Sequence, residues 1–247
     1  MTIKTLIAVP CMQSVPTRFL RSLEYMQRLP DSYTIVSENT LIHDARNDFA
    51  SIAIQNDFDR VLWIDSDMVF DKDLMLRLSK HLDDGLDMVS GIYFQRVPPA
   101  KPVIYKALNK IWVDGSPWTE MDEGRYPDTW LLQPEHFFDY PKDALFEIAA
   151  CGFGAVMTSV PLLKAAWDQF GPPFAFFRNI GEDMSFCYRV HKLGGKIWCD
   201  SSIRCGHVGH AVYDEQAYEV FRKAEEMKQK TGQQKTTPTQ PTDPPSD

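Results

Sequence analysis

Short, nearly unbroken apolar runs alternate in this chain with stretches whose apolar residues return every three or four positions. Thr5-Leu6-Ile7-Ala8-Val9-Pro10-Cys11 reads as a strand covered on both faces, stopped by its proline. Thr17 then caps a helix with a stripe of Phe19, Leu20, Leu23 and Met26, and a second strand follows at Tyr33–Val36. Asp44 caps the next helix, through Ala45, Phe49, Ile52 and Ala53, and the run from Arg60 to Ile64 is a third strand. Asp71-Lys72-Asp73 opens a helix with Leu74, Leu78 and Leu82 on one face, Gly85 ends it, and a fourth strand runs from Asp87 to about Phe94. Such alternation with short joints predicts an α/β fold with a parallel, doubly wound sheet. Ligands of these sheets bind beyond the carboxyl ends of the strands. Here those ends are Pro10-Cys11, Ser37-Glu38-Asn39, Asp65-Ser66-Asp67 and the Gly91–Tyr93 region.

The helical rhythm breaks between about Arg96 and Pro141, where Pro, Trp and Tyr are frequent. A long insertion of this kind is usually functional or mobile. Trp112, Trp118, Trp130, Phe137 and Phe138 have the faces to stack on a sugar or base, although filling a small second core is the plainer expectation for each. Phe146 to Met157 returns to strand character, and Gly152 and Gly154 within it allow close approach of backbone or ligand. Ser159-Val160-Pro161 opens a helix, Gly181-Glu182-Asp183 opens another, and Lys196–Cys199 is a further strand before Cys205-Gly206-His207-Val208-Gly209-His210. Residues 1–227 therefore read as a single domain. The 228–247 tail is Gln, Thr, Pro, Lys and Asp with almost nothing apolar, and is expected to be disordered.

The 247 residues carry a net charge of −8, so the overall field disfavours nucleic acid and anionic membrane. The longest uncharged stretch, Ile148–Leu163, is too short to span a bilayer and contains two glycines and a proline. No leader is apparent, and the five cysteines form no Cys-x-x-Cys pair, which excludes a zinc ribbon and suggests a reducing, cytoplasmic setting.

Asp65 and Asp67 end the third strand, and alternate side chains of an extended segment share a face. Two carboxylates so close raise each other's pKa and become compatible when a divalent cation joins them. Mg²⁺ and Mn²⁺ favour such oxygen ligands, commonly one or two carboxylates plus substrate phosphates. The plainer alternative is that Asp67 caps the next helix and Asp65 merely closes a strand. Glu182/Asp183 and His207/His210 each also admit an ordinary structural reading, but all three clusters stand after strands or at a helix start.

In this order and spacing the chain resembles a metal-dependent glycosyltransferase of the GT-A fold, family 2-like, of the short bacterial and phage type. The resemblance rests on Ala45-Arg46-Asn47, Leu62–Met68 with its Asp-x-Asp, Ser90–Arg96, Gly152-Phe153-Gly154, Gly181–Arg189 and Gly206-His207-Val208-Gly209, and covers about residues 3–212. It implies a Rossmann-like α/β/α sandwich and transfer of a sugar from a nucleotide-diphosphate-sugar, with uridine the usual base, to a hydroxyl acceptor. It further implies that Asp67 binds Mn²⁺ or Mg²⁺, and that Asp65 binds the ion or the ribose. A histidine completes the set: His207 fits the short members, and His210 fits the second histidine of a similar element in the polypeptide N-acetylgalactosaminyltransferases. Pro10 and Glu38 fall where the base and ribose are held, Gly152 is a donor-side position, and Arg46 would face the phosphates, a surface salt bridge being its ordinary reading. Asp183 is implied as the base of an inverting reaction and Glu182 as a donor or acceptor contact; in a retaining enzyme both would only bind. The acceptor stays open among a glycan, a protein side chain, a small molecule and a modified DNA base.

Two other functions compete. A nucleotidyltransferase needs a Gly-rich basic loop after the first strand, and Val9-Pro10-Cys11-Met12-Gln13 has neither glycine nor lysine. The other is a nucleotide-sugar- or carbohydrate-binding protein without turnover, against which the joint presence of Asp65, Asp67 and Asp183 speaks.

Overall fold

The computed structural model describes residues 2–125, 129–209 and 212–234. The first half runs β1 (Lys4–Val9), α1 (Thr17–Tyr25), β2 (Asp31–Val36), α2 (Ile42–Gln55), β3 (Arg60–Ile64), β4 (Met68–Val69), α3 (Leu74–Asp83) and β5 (Met88–Ile92). The second runs β6 (Ile104–Ile111), α4 (Glu120–Arg125), β7 (Leu131–His136), β8 (Leu145–Ile148), β9 (Ala150–Cys151), β10 (Ala155–Ser159), α5 (Val160–Phe170), α6 (Glu182–Lys192), β11 (Ile197–Arg204), β12 (Gly206–Val208), β13 (Val212–Tyr213) and α7 (Glu215–Gln234). Among the described residues the main sheet has the order β2-β1-β3-β10-β5-β11-β8. β1, β2 and β3 are mutually parallel, as are β5 and β11, whereas β10 and β8 run against their neighbours.

The sheet is therefore mainly parallel, as expected, but β5 does not adjoin β3. β10 lies between them, with Val156 opposite both Trp63 and Ser90. Its apolar run is what any strand covered on both faces carries, and such a run does not encode direction. The stretch from Phe146 to Met157 is not one strand but parts of three, β8, β9 and β10, broken at Ala149 and across Gly152-Phe153-Gly154. Gly152 and Gly154 let Tyr93 close over this break: a Cβ at Gly152 would lie 2.0 Å from the Tyr93 Oη, and one at Gly154 2.9 Å from its ring. The Gly154 amide donates to that hydroxyl at 3.2 Å.

Helix α1 buries Phe19, Ser22 and Leu23, while Leu20, expected in its stripe, is 52% exposed. Positions 19, 22, 23 and 26 make the inward face, and the Ser22 hydroxyl accepts from the Phe70 amide. Thr17 begins this helix after an N-cap at Pro16, and α2 starts at Ile42, so Asp44 lies in its first turn. Ser159 caps α5 as expected, accepting from the Leu162 amide.

β7 and β6, from the insertion, form a separate small sheet with β9. Trp130 is buried against Phe177 and Tyr188, and Phe137 meets Phe146 edge-on, so these two rings serve packing. Phe138 is 44% exposed. β13, β12 and β4 make a third sheet that ties the C-terminal part to the turn after β3. Helix α7 continues to Gln234, past the expected start of the tail at Lys228. It is anchored by Glu215, which accepts from the Tyr140 hydroxyl, Lys142 and Arg204, and by Tyr218 stacked on Phe94 at 5.4 Å. The five cysteines are free and buried. No helix among the described residues is long and apolar enough to cross a membrane.

The tight closure of Tyr93 on Gly152 makes a testable pair of variants. Gly152→Ala should cost about 1–3 kcal/mol in denaturant unfolding, as overpacking does. Adding Tyr93→Phe, which removes the oxygen the new methyl meets first, should recover part of that loss.

Candidate functional site

At the carboxyl ends of β1 and β3 lies a cleft of about 640 Å³. Apolar side chains of Pro10, Met12, Val15 and Ile42 share it with Asp65, Asp67, Arg96 and His207. The cleft thus offers an apolar part and a charged part, which suits a ligand with a flat ring at one end and an anionic group at the other.

The Asp-x-Asp element is a turn rather than the extended segment its spacing suggested. The Asp65 amide donates to the Gly154 carbonyl, and the Met68 amide donates back to the Asp65 carbonyl, both at 3.2 Å. Both carboxylates line the cleft, but they have different partners. Asp65 Oδ1 accepts from Arg46 Nη2 at 2.7 Å. Asp67 Oδ2 accepts from Arg96 Nη1 at 2.7 Å and lies 3.1 Å from His207 Nε2. Asp67 caps no helix; the N-cap of α3 is Asp73.

Strand register brings His207 to Asp67. In β12 it pairs with Met68 of β4, and the Val208 amide donates to the Asp67 carbonyl at 2.8 Å. Its Nδ1 lies 2.9 Å from the Phe94 carbonyl, an oxygen that can only accept. Nδ1 therefore carries a proton, and Nε2 is the nitrogen aimed at Asp67. Burial pulls the His207 pKa down, but the hydrogen bond and charge of Asp67 outweigh it and hold it above the ordinary histidine value. Burial likewise pushes Asp67 up, and His207 with Arg96 more than reverses this, so its carboxyl sits below the usual range.

Arg46, on α2, is 2% exposed and forks between two carboxylates. Its Nη2 holds Asp65, and its Nη1 meets Glu182 Oε1 at 2.5 Å. The guanidinium also lies 5.3 Å from the Phe153 ring. Burial lowers the Arg46 pKa, yet the charges of Asp65, Glu182 and Asp183 more than compensate and raise it. Next to Glu182, Asp183 is partly buried, and its Oδ1 accepts from the Met184 amide at 2.7 Å. Burial pushes its carboxyl up to about 6, against the pull of Arg46 and with the help of Glu182 and Asp65. Two adjacent carboxylates at the start of α6 thus differ in kind: one is locked in an ion pair, the other sits near neutral pH.

The residues singled out from sequence are only partly brought together: Glu182 and Asp183, in the first turn of α6, are not among the residues that line the cleft. Pro10, Asp65, Asp67 and His207 line the cleft. Arg46 does not line it, nor is it at the surface; it is consumed by Asp65 and Glu182. Gly152 meets Tyr93 and Val103 rather than open space. Glu38 is in the loop after β2 and does not line the cleft. His210 lies outside the described residues. Arg96 was given no role: it closes the Ser90–Arg96 stretch of the resemblance, but a lone arginine just after the fourth strand does not by itself announce a partner.

Among the described residues no three His, Cys, Asp or Glu side chains converge as a ligand set. Asp67 and His207 nevertheless form a two-donor pair, oxygen and imidazole, that fits a divalent cation completing its shell with phosphate oxygens. The carbonyl behind His207 Nδ1 is the outer partner that metal-binding imidazoles require.

No protein-family model matches the sequence, and no curated protein matches it. Solved structures do resemble it. A197 from STIV superposes with a TM-score of 0.54 at 19% identity, over 84% of this chain and 86% of that one. GalNAc-T7 with UDP, GalNAc and Mn²⁺ superposes with a TM-score of 0.51 at 10% identity, over 84% of this chain and 44% of that one. The fold is GT-A. At such identities the likeness concerns the fold alone.

The Arg46 fork predicts its own mutant. Arg46→Met strands Asp65 and Glu182 and should lower stability by about 3–5 kcal/mol, read as a shifted denaturation midpoint. Arg46→Lys should rescue little, since one ammonium group cannot span both carboxylates as the guanidinium does.

Proposed function

We propose that the chain is a glycosyltransferase moving a sugar from a nucleotide-diphosphate-sugar to a hydroxyl acceptor. The observation that carries this reading is the pairing of Asp67 with an oriented His207 in a cleft at the strand ends of a GT-A fold. The UDP and Mn²⁺ that accompany GalNAc-T7 in its crystal structure favour a uridine donor and a manganese ion. Pro10, Met12 and Ile42 would cover the base, and the diphosphate would lie at the charged end of the cleft. Asp67 and His207 would hold the cation, which when bound supplies Lewis-acid stabilisation to the departing diphosphate. Asp65 is a weaker candidate ligand, since Arg46 already engages it. Glu182 acts by keeping Arg46 and Asp65 in place.

Asp183 is the base of this scheme. It removes the proton of the acceptor hydroxyl as that oxygen bonds to the anomeric carbon and the bond to the diphosphate breaks, an inverting displacement. A carboxyl at about 6 is better matched to that task than one near 4. A nucleotidyltransferase gains no support from the loop after β1, where Cys11 donates its amide to Ser37 and no lysine is present.

Four results are expected. Calorimetric titration with UDP-sugars should give binding that requires Mn²⁺, and Asp67→Asn or His207→Ala should abolish the requirement together with the affinity. Asp183→Asn should keep donor binding while transfer falls about 10²–10⁴-fold; equal rates in the variant and wild type would remove Asp183 from the chemistry. Wild-type transfer should fall as the pH drops through about 6, where Asp183 takes up its proton. The same raised pKa works against folding at higher pH, so Asp183→Asn should raise the melting temperature at pH 7.5 and not at pH 3.5.

A further inference from the structure

Arg96 is the cleft-lining residue that neither the sequence pattern nor the proposed chemistry accounts for. Its side chain is 61% exposed, yet its Nη1 sits 2.7 Å from Asp67 Oδ2, the same oxygen that His207 Nε2 approaches. Its backbone, by contrast, is held. The Gln95 amide donates to the Lys101 carbonyl, the Ala100 amide to Val97, and the Val103 amide to Tyr93, which closes the loop on itself. Gly209 packs against that loop so closely that a Cβ there would lie 2.8 Å from the Arg96 carbonyl oxygen. A fixed backbone with an exposed guanidinium that has one partner among the described residues is an arm that pivots at its side-chain torsions. Arg46 is the contrast: buried, bound to two carboxylates, and unable to leave either without stranding it.

We propose that Arg96 stands in for the cation on Asp67 when none is bound, and passes to the diphosphate of the donor when a divalent ion takes that carboxylate. This rests on the donor and metal reading given above. The oxygen between Arg96 and His207 is where an ion shared by Asp67 and His207 would attach, so guanidinium and metal compete for it. Once displaced, the arm remains beside Ser66, Val208 and Gly209 in the same cleft, within the region where the leaving phosphates would lie. A guanidinium is suited to that second partner, because its parallel N–H groups match phosphate oxygens as well as carboxylate ones. The exchange keeps Asp67 paired in both states and adds positive charge at the leaving group without any buried charge being left alone.

The exchange makes one substitution act in opposite directions on two affinities. Mn²⁺ binding to the nucleotide-free protein, followed by electron paramagnetic resonance, should be tighter in Arg96→Ala than in wild type. UDP-sugar binding at saturating Mn²⁺, followed by calorimetry, should be weaker, each by roughly tenfold, the scale of one charge-assisted hydrogen bond. Arg96→Lys should lie between on both axes. A metal affinity that stays level or falls in Arg96→Ala overturns the proposal, because Arg96 is then a prop for the Asp67–His207 pair. A tighter metal with unchanged donor affinity overturns it too, since the arm then never reaches the phosphates. Failure of the underlying reading is read separately, on the wild type: a protein that binds neither Mn²⁺ nor any UDP-sugar loses both.

Discussion

A single buried guanidinium holds the functional end of this molecule together. Arg46 belongs to α2, Asp65 to the turn after β3, and Glu182 to the first turn of α6, so its two ion pairs pin three elements that the main sheet alone does not fasten to one another. Without it, two carboxylates would sit close together with little water to screen them, which is costly unless one takes a proton. With it, Asp65 is turned to Arg46 and Asp67 is left to other partners. The electrostatic conflict expected of an Asp-x-Asp pair is thereby resolved inside the fold before any ion arrives.

The turn after β3 consequently has two halves with different duties. Asp65 is a structural anion. Asp67, one residue past Ser66, faces an exposed arginine and an imidazole whose other nitrogen is held by a carbonyl. The small β13-β12-β4 sheet is what keeps this second half in register. A slip of one residue between β12 and β4 would turn His207 to the opposite face and remove it from Asp67.

Local patterns made much of this visible beforehand. Alternating apolar runs and helical stripes located the strands and helices of the first half, and the strand ends located Pro10, Asp65 and Asp67, which do share the cleft. His207 was singled out only through the resemblance, whose short members carry a histidine at that place; nothing in its local pattern distinguishes it from a structural histidine. Pairings between distant residues were not visible. Nothing near Arg46 announces Glu182, which is separated from it by most of the chain, so an arginine destined for a buried fork looked like one meant for phosphate. The direction of β10 was equally hidden, since both of its faces are covered and its composition is that of any central strand. Helix α1 shows the finer limit: Ser22 faces inward and Leu20 outward because the Phe70 amide needs an acceptor, which hydrophobicity alone does not record.

The five buried thiols have a use of their own. Cys11 borders the cleft, Cys151 and Cys187 lie behind Asp183, Cys199 is in the main sheet, and Cys205 precedes the strand of His207. Burial pushes the Cys205 thiol up to about 12 and those of Cys187 and Cys199 well above the ordinary value, so each is both hidden and protonated in the closed protein. An alkylating reagent then modifies these three only in chains that have opened, and mass spectrometry of the adducts reports which part opened first. The chain carries its own set of breathing sensors, in α6, in the main sheet and beside the strand of His207, with no label to be introduced.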